Sequence, residues 1–173
     1  YKAFAAAALP EIYGESLENA TSLHATTLES CVLINNGSAQ FELQALPRLA
    51  QIAPCHGAAL AYLDGDEYVD LVLAQNDFSP QRETGRMAGG VSLFLRGTTA
   101  GKFQAIWPYE SGISVQGDAR CILVSDINQD QRPDLLFGVN NQNWKAYHSS
   151  SAERAMVIRL AGLTGNASAI GAR

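Results

Sequence analysis

An acidic nonapeptide occurs twice in this chain, each time between two apolar runs, and that recurrence constrains the fold more than any other feature. The fuller copy is Asp126-Ile127-Asn128-Gln129-Asp130-Gln131-Arg132-Pro133-Asp134, with Cys121-Ile122-Leu123-Val124 before it and Leu135-Leu136-Phe137 after it. Short apolar runs bounded by turn residues read as buried strands. The other copy runs from Tyr62 to Asp70, and one constant shift carries Asp64, Asp66 and Asp70 onto Asn128, Asp130 and Asp134. Ala58-Ala59-Leu60-Ala61 precedes it and Leu71-Val72-Leu73-Ala74 follows. A unit that recurs in matching context is a supersecondary block whose apolar faces are buried by its neighbours. The chain is therefore expected to be mainly β, built from strand, acidic loop and returning strand.

The loop residues have the chemistry of a hard-cation site. Calcium takes six to eight oxygens at about 2.3–2.6 Å, and a tight loop turns alternate side chains inward to supply them. Asp126, Asn128, Asp130 and Asp134 occupy positions one, three, five and nine, and Arg132 at position seven offers its backbone carbonyl. In the first copy Asp64, Asp66 and Asp70 keep positions three, five and nine, with Tyr68 at position seven. There Tyr62 replaces the first acid, so a metal loop and a plain turn both remain open. The same is true in kind of the second loop, since Asp side chains also close turns by accepting nearby N–H groups. Ca²⁺ is the expectation there, at the affinity of extracellular modules, on the order of 10⁻⁴–10⁻³ M.

The spacing resembles the calcium loop of the FG-GAP/VCBS repeat family, D-x-[DN]-x-D-G-x-x-D-L, the blade unit of integrin-α-type β-propellers. The second loop agrees at every defined position except the glycine, where Gln131 stands. A non-glycine residue held in the left-handed region there costs about 1–2 kcal/mol. Thr27-Leu28-Glu29-Ser30, Ala50-Gln51-Ile52-Ala53-Pro54, Leu73-Ala74-Gln75-Asn76 and Glu83-Thr84-Gly85-Arg86 extend the likeness. The tail, from Ile158-Arg159-Leu160-Ala161-Gly162 to Ala169-Ile170-Gly171-Ala172-Arg173, is similar to the start of an ASPIC/UnbV domain. The resemblance implies a secreted or surface-exposed, calcium-binding, non-enzymatic propeller made of four-stranded antiparallel blades. Propellers close with about four to eight blades, so the chain reads as a fragment of a larger one. Its partners would be further blades or other subunits, with an extracellular protein or glycan ligand. A structural subunit of an extracellular layer or filament, or a carbohydrate-active propeller, are the alternatives.

The divisions expected are a helical excursion over 1–30, propeller blades over 31–148, and the next domain over 152–173. Tyr1 to Tyr13 has helix propensity interrupted at Pro10, Gly14 would cap it, and Ser16 could start a second helix from Leu17 to about His24. Cys31-Val32-Leu33-Ile34, the turn Asn35-Asn36-Gly37-Ser38 and Phe41 read as a hairpin. Val91-Ser92-Leu93-Phe94-Leu95, Gly97 to Gly101 and Phe103 repeat that design, completing a unit over 58–104. Insertions over 77–88, with Arg82, Glu83 and Arg86, and 109–118, bordered by Trp107, Tyr109 and Glu110, are where loop-borne binding is expected.

Charge and cysteine usage narrow the classes. A net charge of −5 with scattered basic residues argues against nucleic acid as a partner. No apolar run is long enough for a membrane span. Cys31, Cys55 and Cys121 form no C-x-x-C pair, so zinc is not expected, and for Cys55 and Cys121, each on an apolar strand before a loop, free buried thiols are favoured over a disulfide. Cys55-His56 invites a thiol–imidazole reading, but neighbours on a strand point to opposite faces. The two are expected to diverge.

Overall fold

A computed structural model describes residues 1–151 together with Arg154, Ala161, Gly162, Gly165 and Gly171. The C-terminal unit expected over 152–173, including a strand over 155–160, lies outside the described residues. The described part is mainly β, with three antiparallel sheets.

The first sheet is a hairpin of β1 (Cys31–Asn35) and β2 (Phe41–Ala45). The second is a four-stranded meander of β3 (Cys55–Ala61), β4 (Asp70–Gln75), β5 (Leu93–Gly97) and β6 (Phe103–Ile106). The third holds β7 (Ala119–Ser125), β8 (Asp134–Val139) and β9 (Lys145–Tyr147). Each acidic nonapeptide sits at the first turn of its sheet, between β3 and β4 and between β7 and β8, as the flanking apolar runs require.

The middle sheet is covered on both faces, which is why β4 carries Leu71-Val72-Leu73-Ala74 with no polar alternation. Val72, Ala74, Phe94 and Ile106 pack against Leu135, Phe137 and Val139 of the third sheet. Leu71, Leu73, Leu93 and Leu95 point the other way, onto Leu46, Ala50 and Val32. Two-sided burial of a short strand gives a continuous apolar run rather than period-two patterning.

Among the described residues the outer faces stay bare. Leu33 and Leu43, directly paired, and Phe41 are more than half exposed on the hairpin. On the third sheet Cys121 and Leu123 are exposed, paired with Gly138 and Leu136. The shift that superposes the two loops carries this set onto Gly57, Ala59, Ala74 and Val72, the middle-sheet face that the third sheet covers. Cys121 was expected to be buried. It is exposed because no further sheet lies on its face among the described residues.

β3 and β7 are interrupted alike. The register shifts between Cys55 and Gly57 in one pair and between Ala119 and Cys121 in the other, leaving His56 and Arg120 as the extra residues. A bulge re-aims a side chain out of the ladder. A Cβ at Gly57 would sit 3.0 Å from the Cys121 Cα, so the absence of a side chain there lets the two bulged strands approach.

At the N-terminus, α1 (Lys2–Ala6) and α2 (Leu9–Tyr13) form, with Gly14 as the C-cap of α2 at φ 51°. The break falls at Ala7–Ala8, and Pro10 sits in the first turn of α2, where its missing N–H is harmless. The helix expected over 17–24 does not form. A 3-10 turn at Gly14–Leu17 is followed by irregular chain. Asn, Thr and Ser are weak helix formers, and Leu23 is 90% exposed, so no tertiary contact offsets nucleation. α3 (Pro108–Ser111) lies in the second insertion. No described helix is long and apolar enough to cross a membrane.

Candidate functional site

Both loops are organised by their ninth residue. Asp134, fully buried, accepts the Ile127 N–H at 3.0 Å, the Ser149 N–H at 2.9 Å and His148 Nδ1 at 3.1 Å. Asp70, also fully buried, accepts the Leu63 N–H at 3.0 Å, the Asp64 N–H at 3.3 Å and the Gly97 N–H at 2.8 Å. One carboxylate thus ties the loop to its own start and to the end of the third strand, β5 or β9. Gly97 is required at that end: a Cβ there would lie 2.2 Å from the Val69 carbonyl oxygen.

The two carboxyls differ in charge environment. Burial pushes Asp70 up, and the nearby Asp64 charge adds to this beyond what the Gly97 and Leu63 N–H groups recover. Burial also opposes ionisation of Asp134, but the Ser149 N–H, His148 and the Ile127 N–H outweigh it and hold that carboxyl below its ordinary range.

In the second loop the oxygens at positions one, three and five are turned toward the loop's own backbone. Asp126 accepts from Asp130 N at 2.9 Å and Gln131 N at 2.9 Å, and Asn128 Oδ1 accepts from Asp130 N at 3.1 Å. Asp130 accepts from Arg132 N at 2.9 Å, and Arg132 Nη1 donates to its other oxygen at 3.2 Å. Gln129 and Gln131 are left-handed, at φ 63° and 68°. The glycine slot of the resembled pattern therefore keeps its backbone conformation with glutamine in it, at the strain cost named above.

The first loop is built differently. Gly65, opposite Gln129, has φ 89°, while Glu67 is absent from the left-handed region. Asp64 accepts Arg96 Nε at 2.6 Å, so a guanidinium from β5 neutralises it. Asp66 accepts the Tyr68 N–H at 2.7 Å, and Tyr62 is largely exposed.

The donor chemistry of Asp126, Asn128, Asp130, Asp134 and the Arg132 carbonyl fits a hard cation. Every side chain in the set is an oxygen donor within one turn. In the described arrangement no group of three or more His, Cys, Asp or Glu side chains converges. Loading the second loop therefore requires Asp126 and Asp130 to exchange backbone N–H groups and Arg132 for the cation. The first loop, with a phenol at position one and Arg96 on Asp64, does not present such a set. Replacing the Arg132 side chain while keeping its carbonyl, as Arg132→Gln, is expected to tighten Ca²⁺ binding about three- to tenfold, because a part-buried cation paired with Asp130 no longer competes. Isothermal titration checks this; weakened binding would place the guanidinium on the favourable side.

At the opposite rim the bulge residues meet. Arg120 Nη1 lies 2.9 Å from His56 Nε2, and Arg120 Nη2 donates to Asp77 Oδ1 at 2.7 Å. Arg120 Nε pairs with Asp118 Oδ1 at 2.7 Å, and Asn140 Nδ2 donates to Asp118 Oδ2 at 3.2 Å. Cys55 Sγ, half-buried rather than buried, donates to the Gly57 carbonyl, so Cys55 and His56 point apart as expected. In the insertions, Arg86 stacks 3.9 Å over the Phe78 ring, while Trp107 and Tyr109 are exposed. Sequence reasoning missed Arg96, His148 and the Arg120 clasp. The only signal for the clasp was that His56 and Arg120 occupy corresponding positions in the two units.

No protein-family model, curated protein or solved structure matches this chain.

Proposed function

We propose that this chain is a calcium-binding segment of a β-propeller of the FG-GAP/VCBS kind. It serves as a non-enzymatic binding or assembly module outside the cell or at its surface. The observation that carries this is the corresponding placement of two acidic loops, each at the first turn of its sheet and each stapled by a ninth-position Asp to the end of the third strand. When bound, Ca²⁺ would cancel repulsion among Asp126, Asp130 and Asp134 and hold the loop rim in one conformation. The bare face bearing Cys121, Leu123 and Leu136 corresponds to a covered face of the middle sheet, which favours a further sheet, from the same chain or another subunit, as its cover. The diverging Cys55 and His56 favour binding over catalysis.

Thermal unfolding with Ca²⁺ or with EDTA tests the metal reading. A cation at a hundredfold excess over Kd adds about 2.7 kcal/mol, a rise in midpoint of roughly 5–10 °C for a chain of this size. Asp130→Ala is expected to abolish the difference. An unchanged midpoint in saturating Ca²⁺ would overturn the reading.

A further inference from the structure

We propose that the cleft between the middle and third sheets, opening at the rim of the acidic loops, binds a small monocarboxylate with an apolar body. This goes beyond the calcium reading and does not depend on it. The cleft encloses about 520 Å³, within the range of small-ligand sites, which are mostly apolar with a few placed polar groups.

Its floor is the place where the inter-sheet core opens. Phe94, Ile106, Ile113 and Leu135 line it, each less than 10% exposed. Phe94 and Ile106 are paired across β5 and β6, so they form one continuous apolar step. Arg96 follows Phe94 by two residues on β5 and therefore shares its face. On the facing sheet Leu135 is paired with Tyr147, and His148 comes next. One end of the cleft is thus apolar and the other carries a guanidinium and an imidazole.

The polar groups have unused capacity of one kind. Arg96 spends Nε on Asp64 at 2.6 Å, and its two terminal amines have no hydrogen-bond partner among the described residues. A guanidinium with one edge occupied still offers two parallel donors to a second carboxylate. His148 Nδ1 is spent on Asp134, and Nε2 of a neutral imidazole so bonded is an acceptor that gives a carboxylate no hydrogen bond, so recognition rests on Arg96. Asp64, already paired with Arg96, and Glu110 also line the cleft, so one carboxylate can be met by the free Arg96 amines while a second negative charge would face Glu110 with no cation left. Cation edge, apolar step and acidic surround together select one carboxylate on an uncharged tail, such as an alkanoate or aryl-alkanoate.

Amide-resolved NMR titration of the whole chain in EDTA, with hexanoate, 3-phenylpropionate, hexanamide and adipate, tests this. The two monocarboxylates are expected to shift Gly112, Ile113, Ser149 and Ser150 at low-millimolar concentration. Hexanamide and adipate are expected to bind at least about tenfold more weakly, a 1.4 kcal/mol difference. Arg96→Gln, checked for retained spectral dispersion, is expected to lose monocarboxylate binding by a similar factor. No shift in the cleft, equal binding of hexanamide, or shifts confined to Leu33, Phe41 and Leu43 would overturn the proposal. Because Ca²⁺ is absent throughout, the outcome is independent of the metal test.

Discussion

Asp70→Ala is expected to lower stability by about 3 kcal/mol, because it strips the acceptor from three backbone N–H groups, one of them at buried Gly97. For a chain of this length that is a fall in midpoint of roughly 6–12 °C, read by thermal or urea unfolding. The asparagine variants separate the two staples. Asp70 is raised above its unfolded value, so its ionisation opposes folding as pH climbs from the unfolded pKa through the folded one. Asp134 is lowered, so its ionised form contributes stability above the unfolded pKa that is lost as pH falls through the folded value. Asp134→Asn is therefore expected to cost more at neutral pH than Asp70→Asn. An Asp70→Asn variant as damaged as Asp134→Asn would show that hydrogen-bond count alone governs both positions.

Arg120→Leu is the second large effect. It leaves Asp118, 1% exposed, as a buried charge with only Asn140 and backbone for company. Removing one partner of a buried pair costs about 3–5 kcal/mol; because Arg120 is itself one-third exposed, about 3 kcal/mol is expected here. Asp118→Asn placed on top of Arg120→Leu is expected to recover a large part of the loss, since the stranded charge is gone. Acid unfolding gives a second readout. Burial raises Asp118, but its bonds to Arg120 and Asn140 prevail and lower it; Asp77 is lowered by the Ser79 N–H, then by Arg120. Both carboxylates contribute stability that is complete above about pH 4 and lost as pH falls through their folded values. Arg120→Leu should flatten that acid limb. An unchanged limb would mean that the clasp adds nothing to the joint between the sheets.

The division between what was legible and what was not follows the range of the forces involved. The sequence alone determined the mainly β character, the loop positions and the unit over 58–104, because burial and turn chemistry act over a few residues. Val72 and Leu73 needed neighbours on opposite faces, and Asp-rich turns between them had one place to go. It equally pointed to Asp134 and Asp70 as loop residues, but as inward-facing ligands rather than staples. Their backbone partners, Gly97 at the end of β5 and Ser149 just beyond β9, are brought near only by the assembled sheet. The chain over 18–24 stays irregular because nothing among the described residues packs on it, a fact that local propensity does not carry. The pairings of Arg96 with Asp64 and of Arg120 with Asp77 were decided by tertiary structure alone, whereas Asp118, two residues from Arg120, is a local partner. A guanidinium sits at the end of a long flexible stem, so which distant acid it neutralises depends on bulges and sheet stacking, and local sequence carries no record of either.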